Sequence, residues 1–335
     1  MLIIPYFIYH QGCPHRCLFC NQFSISGAQR QESAGTVSDL TGTIEDWLAR
    51  SAHHDEIQVA FYGGSFTCLD EALQFELLQA VAPYIEAKRV NSIRLSTRPD
   101  CVTEALGDFL LCSGVSTVEI GAQSMRDEVL ERSGRGHTVA DIERAAKLLA
   151  GRGLRVGIQL MAGLPGETTR SFMEGIRRVV QLAPDLVRIY PTVVLNGTAL
   201  ADLYRRAGWK PLSLERAVIL TGRARDLFAA NNISVARMGL QPSTELEQQL
   251  LAGPYHPAFG ELVLSRMWYR RVRKLLLQAG TGTVLKLSIS ERDYSAFAGL
   301  KKHNLKRLRR VAGGARLLVE IDPALRRGDY RQTIE

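Results

Sequence analysis

Six apolar runs rich in β-branched residues alternate with stretches of helical periodicity, and this alternation limits the chain to very few folds. The runs are Leu2 to Tyr9, Ile57 to Tyr62, Ser92 to Thr97, Val115 to Ile120, Leu154 to Leu160 and Leu186 to Tyr190. Between them lie helical patterns at Leu40 to Arg50, Leu69 to Ala87, Thr103 to Cys112, Val139 to Gly151 and Thr168 to Gln181, several opened by Thr or Asp at a cap position. That order spells βα units. Right-handed crossovers between parallel strands give either a doubly wound sheet or a barrel, and both place their sites at the carboxyl ends of the strands. The unusual residues gather at those ends. Cys13 to Cys20 follow the first strand, Gly63 and Gly64 the second, Arg98 to Asp100 the third, Gly121 to Ser124 the fourth and Gly163 to Gly166 the fifth.

With 335 residues, 46% apolar and 23% charged, the composition excludes disordered and fibrous classes and suits an enzyme with one large core. Six cysteines are too few for a disulfide framework. Cys68, Cys101 and Cys112 sit among apolar neighbours and are expected as buried thiols, which points to a reducing, cytoplasmic setting. The opening MLIIPYFIYH lacks a basic leader and a small-residue cleavage site, and reads as a buried first strand. No segment approaches the roughly 18 uninterrupted apolar residues of a membrane helix, so no membrane association is expected. The net charge of +8 is uneven: from Val263 to Glu335 there are 17 Lys and Arg against 6 Asp and Glu.

Cys13, Cys17 and Cys20, in GCPHRCLFCNQ, offer three thiolates to one inorganic centre. A cubane of four irons and four sulfides has four corners, so three thiolates leave one iron open to a chelating ligand. Phe19, just before the last cysteine, would pack beside that ligand. The competing reading is a zinc knuckle with His10 or His15 as fourth ligand, although no second CxxC or HxxxH pair is present.

The spacing of these cysteines resembles that of the radical S-adenosylmethionine (SAM) superfamily. The resemblance implies a 4Fe-4S cluster, S-adenosyl-L-methionine bound to its open iron, a 5′-deoxyadenosyl radical, and an electron donor such as flavodoxin or ferredoxin. It also implies a partial (βα)6 TIM-like barrel. FYGGSFT, residues 61–67, resembles the family's glycine pair, so that Gly63, Gly64 and Ser65 would lie against the methionyl amine. LSTRPD, IGAQSM, GRGHT and MAGLPGET, together with RIYPTVVLNGTAL, resemble the branch that holds the Elongator catalytic subunit and oxygen-independent coproporphyrinogen oxidase. By that likeness Gln123 and Arg135 would reach the ribose and the methionyl carboxylate, and Gln159 the ribose. Their chemistry suits those roles: an amide both donates to and accepts from a hydroxyl, and a guanidinium grips a carboxylate with two prongs.

The chain departs from these relatives in the gap between Cys13 and Cys17, which is the short general one where the Elongator subunit has a longer one, and in two further ways. Ser96 stands where many members carry an acidic residue, and the 97 residues after Met238 are too few for Elongator's acetyltransferase domain. The expected organisation is a radical SAM core over residues 1–238 and a small basic α+β extension over 239–335. The extension is read as a long helix, Phe259 to Gln278, and then strands at Val284 to Ser290 and Arg316 to Ile321 flanking a helix that holds KKHNLKRLRR. Its cations, interleaved with Trp268, Tyr269 and His303, suggest an RNA footprint, while a solvated basic face is the plainer reading. A transfer-RNA base is the leading substrate. A tetrapyrrole or other small molecule is the alternative for an enzyme, and a zinc-bearing nucleic-acid binder the alternative outside enzymes.

Overall fold

The computed structural model describes residues 1–8, 11–21, 37–51 and 54–335, and His10 lies outside them. Strands β1 (Leu2–Phe7), β2 (Ile57–Tyr62), β3 (Ser92–Thr97), β4 (Val115–Gln123), β5 (Arg155–Ala162) and β6 (Leu186–Pro191) form where the apolar runs predict them. Helices α1 (Val37–Arg50), α2 (Glu71–Glu86), α3 (Glu104–Cys112), α4 (Asp127–Arg132), α5 (Val139–Gly151) and α6 (Thr169–Leu182) connect them. Thr138 and Thr168 open α5 and α6 with reciprocal capping boxes, which satisfy backbone donors that a helix start leaves orphaned. After β7 (Val194–Leu195), α7 (Ala199–Arg205) and α8 (Leu214–Ala230) comes β8 (Ser234–Met238), a seventh parallel strand beyond the six read from sequence. The sheet order β1-β2-β3-β4-β5-β6-β8 is that of a curled, partial TIM-like barrel. α9 (Thr244–Gln249) and β9 (Leu250–Ala252) follow, and β9 pairs antiparallel with β7.

The described chain gathers into two compact units. One holds Met1–Ala217 and Ala224–Pro257, running past Met238. The other holds Val218–Arg223 and Ala258–Glu335. The second is built from α10 (Phe259–Ala279), β10 (Val284–Ile289), α11 (Tyr294–Ala298), α12 (His303–Val311), β11 (Arg316–Ile321) and β12 (Tyr330–Ile334). Trp268, Val272, Leu276, Leu285, Leu287, Phe297 and Leu308 are buried at its centre. Among the described residues, no helix is long and apolar enough to cross a membrane.

Parallel strands covered on both faces should be uniformly apolar, yet the interior of this barrel holds a charge cluster. Glu119 on β4 has no exposed side-chain surface, and Arg94 on β3 is 2% exposed. One Glu119 oxygen accepts from Arg94 Nη1 and Arg188 Nη2, each at 2.9 Å, and from the Tyr62 hydroxyl at 3.1 Å. The other accepts from Gln159 Nε2 at 3.1 Å, with Arg188 Nε 2.6 Å away. Burial raises the Glu119 pKa, but Arg188 and Arg94 outweigh it and hold the carboxyl below its usual range. Five consecutive strands, β2 to β6, thus meet at one carboxylate.

Two cysteine expectations need correction. Cys68 and Cys101 form a disulfide rather than two buried thiols, because the turns after β2 and β3 bring their Cα atoms to 5.4 Å. Cys112, at the end of α3, is exposed because the core-facing side of that helix is taken by Gly107 and Leu110. The disulfide removes one ground for reading a reducing compartment from cysteine usage.

A second buried carboxyl joins the ends of β4 and β5. Glu167 accepts from the Gly163 amide at 2.8 Å and the Ser124 hydroxyl at 3.3 Å. Burial raises its pKa to about 7, and those bonds only partly offset the rise. The folded state therefore holds this proton more tightly than the unfolded state does. The stability it contributes is complete below the ordinary value of 4.5 and is lost as pH rises to about 7.

Two outcomes follow. Glu119→Gln should lower the unfolding free energy by about 3–5 kcal/mol in denaturant titration, because it strands two buried guanidiniums; a change under about 1 kcal/mol would contradict the role given to the cluster. For Glu167→Gln, the difference in melting temperature from the parent protein should become more favourable between pH 5 and pH 7, and a pH-independent difference would contradict the assignment.

Candidate functional site

The loop that carries Cys13, Cys17 and Cys20 sits on the rim of the barrel, held from three sides. On the first, the Ser65 amide donates to Gln11 O at 3.0 Å, which fixes the turn after β2 against the loop. The approach is close enough to require glycine: a Cβ at Gly64 would lie 2.5 Å from Ile8 O and 2.6 Å from Gln11 O. On the second side the Leu18 amide donates to Ser133 O at 3.0 Å, and on the third the Leu200 amide donates to Leu18 O at 2.8 Å. The three cysteines are half-buried and take part in no disulfide.

Several residues singled out from sequence meet here. Cys13 Sγ lies 3.4 Å from Ser65 Oγ. Arg135 Nη1 donates to Cys17 Sγ at 3.0 Å, while its Nη2 donates to Gly121 O near the end of β4. The guanidinium therefore bridges the cysteine loop and the central strand. A Cβ at Gly121 would meet Gln123 Nε2 at 3.1 Å and Arg135 Nη2 at 3.4 Å, so the amide and the guanidinium converge over this glycine. Gln123 itself closes β4 with φ of +67°, a strained value for a side-chain-bearing residue and one associated with functional positions. Phe19 is half-buried between Leu18 and Cys20.

Gln159 is placed differently. Its amide donates to Glu119 inside the barrel, so it belongs to the charge cluster. The sequence places Arg98 to Asp100 at the end of the third strand but gives them, and His137, no role in the site. Arg98 pairs with Asp100 through two 3.0 Å bonds and donates to Arg135 O, positioning the turn that carries Arg135. His137 is fully buried as a side chain, 3.9 Å from Asp100. Burial, reinforced by Arg135 and Arg98, lowers its pKa to about 3, so it is neutral at physiological pH. The signal that could have found Glu119, Arg94 and Arg188 was a single charge inside each of three apolar strands.

The donor set fits an anionic, metal-bearing group. Arg135 Nε and Arg98 Nη1 are buried and have no hydrogen-bond partner among the described residues. Buried unpaired donors are costly and are normally satisfied by something. Among the described residues, no three His, Cys, Asp or Glu side chains gather closely enough to hold a single metal ion. A cubane asks for a different arrangement, since each thiolate takes a separate iron.

Comparison with known proteins agrees with this geometry. Residues 7–179 match the radical SAM superfamily, and residues 184–269 match the radical SAM C-terminal domain. The tRNA uridine(34) acetyltransferase of Methanocaldococcus jannaschii is 30% identical over 256 residues, covering 65% of this chain and 47% of that protein. Human Elongator complex protein 3 is 26% identical over 190 residues, covering 50% of this chain and 35% of its own length. The chain thus spans about half the length, or less, of these relatives. Among solved structures, the archaeal Methanocaldococcus infernus Elp3 with an N-terminal deletion superposes with a TM-score of 0.62 at 23% identity, covering 81% of this chain and 63% of that one, a likeness of fold. The cysteine-bearing rim, the seven-stranded partial barrel and a family match over more than half of the residues make this chain a member of the radical SAM superfamily, a superfamily of enzymes.

Proposed function

We propose that this chain is a cytoplasmic radical SAM enzyme that acts on a base of transfer RNA, with a low-potential reductant such as flavodoxin or ferredoxin as its electron donor. The observation that carries the reading is Arg135, which ties Cys17 to the end of β4 while its own Nε stays buried and, among the described residues, unpaired. Cys13, Cys17 and Cys20 would hold a 4Fe-4S cluster, and its open iron would face S-adenosylmethionine. Together these groups supply one-electron chemistry, hydrogen abstraction from an unactivated carbon.

The protein's own residues bind and position. Hydrogen bonds to ligating sulfurs help set a cluster's potential, and Arg135 supplies one to Cys17. The Arg135 Nε and Arg98 Nη1 donors suit the methionyl carboxylate. Gly63 and Gly64 give bare backbone on the side of Ser65, where the methionyl amine would sit, and Gln123 offers donor and acceptor to the ribose. Gln159 would act through Glu119, as a positioning residue for the barrel interior. Neutral His137 carries no charge that would compete with the Arg98–Asp100 pair that orients the Arg135 turn.

A transfer-RNA substrate is supported by the relatives named tRNA uridine(34) acetyltransferases, which match 65% and 64% of this chain. Their acetyl transfer is not carried over. The test has two arms. Anaerobic reconstitution should give about four irons per chain, and Cys17→Ala should lose most of them; stoichiometric zinc without iron uptake would contradict the cluster. Deletion of the gene should change one modified nucleoside in hydrolysed transfer RNA, and a shift in the porphyrin pool with unchanged nucleosides would overturn the substrate.

A further inference from the structure

The C-terminal unit has an order that its basic composition alone did not disclose. A central strand, β10, leads into two short helices, α11 and α12, and the chain returns as β11, parallel to β10 from Val284↔Arg316 to Ile289↔Ile321. β12 pairs antiparallel on the other side of β10. Between the helices lies a four-residue turn, Gly299-Leu300-Lys301-Lys302. From this arrangement we infer that the unit is a clamp of the K-homology (KH) kind for single-stranded RNA, with residues 299–302 as its gripping loop. KH modules hold about four nucleotides of backbone with a Gly-x-x-Gly loop.

The loop is built with unusual care. Gly299 has φ of +71° and ψ of 164°, a conformation that is essentially glycine's own. A Cβ there would also lie 3.0 Å from Asn304 Cγ and 3.1 Å from Ser265 Oγ. Asn304 is buried, and its amide donates to Ser265 O and Oγ, each at 2.9 Å, and to Phe297 O at 3.2 Å, which fixes the base of the turn. The Lys302 amide closes the loop onto Gly299 O at 2.8 Å. Lys301 and Lys302 both adopt left-handed backbone, at φ of +49° and +58°. Lys302 occupies the position of the second KH glycine, and it holds the glycine-like conformation while adding a charge.

The surface is complementary to a polyanion that also presents bases. Lys301, Lys302, Lys306, Arg309 and Arg310 are exposed, and none pairs with a carboxylate among the described residues. Leu300, at the tip, is 72% exposed. A duplex would meet the cations with phosphates alone and leave this leucine in water, whereas a single strand offers unstacked bases as well. The inference deepens the reading of an RNA substrate and rests on it for the identity of the RNA.

The test uses the full chain and a fluorescein-labelled eight-nucleotide single-stranded RNA, with duplex RNA and single-stranded DNA of the same sequence as competitors. Lys301→Asn with Lys302→Asn removes two charges while keeping residues that tolerate left-handed backbone. This double variant should weaken single-strand binding roughly tenfold and reduce the slope of log affinity against log salt by about 1.4. A charge removal elsewhere, Lys147→Asn on α5, should change neither. Circular dichroism checks that the loop variant is folded, and Lys306→Gln with Arg310→Gln gives an independent second variant. Unchanged binding in both double variants, or competition by duplex RNA or single-stranded DNA as strong as by single-stranded RNA, would overturn the clamp. The two readings fail separately: loop-dependent RNA binding without any altered nucleoside would keep the clamp and sink the substrate, and an altered nucleoside with loop-independent binding would do the reverse.

Discussion

One buried carboxylate organises the first unit of this protein. Glu119 sits at the middle of a parallel sheet, where an unpaired charge would cost several kcal/mol, and Arg94, Arg188, Tyr62 and Gln159 answer it from four other strands. An apolar interior would pack as well, so stability alone does not account for the arrangement. A carboxylate with four directed partners fixes the relative register of β2 through β6 more sharply than interchangeable aliphatic contacts do. The strand ends, and with them the rim, inherit that register.

On this base the rim is assembled from backbone as much as from side chains. Gly64 and Gly121 are places where a Cβ would collide or crowd, and their absence of side chain lets the cysteine loop, the turn after β2 and the Arg135 guanidinium close on one another. Arg135 occupies the junction. It touches a cysteine sulfur with one nitrogen and the central strand with another, while Arg98 holds its backbone from below. Such a junction transmits the position of the barrel to any group bound by the cysteines.

The strands and helices were legible because each carries its own period, and six of the seven parallel strands and the helices read from sequence stand where the pattern puts them, while the 17-residue α8 has no counterpart in that reading. β8 was missed since SVARM places an arginine in an edge strand that is only partly buried, so its alternation is weak. The charge cluster was missed for a different reason: its partners are far apart in sequence, and nothing local announces that Arg94, Glu119 and Arg188 share one point. Cys68 and Cys101 read as thiols because their pairing depends on two turns meeting, a property of the sheet rather than of spacing. Gln159 has the residue type for a sugar contact, but Glu119 claims its amide. In the second unit the basic run was visible, while the gripping loop was hidden by a lysine in a position where glycine is the usual marker.

In the proposed function three cysteines leave one iron open, and the rim presents S-adenosylmethionine to it. Low-temperature electron paramagnetic resonance of the anaerobically reconstituted, dithionite-reduced full chain tests this most directly, recorded with and without S-adenosylmethionine. The expected result is a reduced-cluster signal whose g values shift on adding the nucleotide, with a much smaller shift for Arg135→Ala at the same concentration. A cluster signal indifferent to S-adenosylmethionine, or no cluster signal at all, would contradict it.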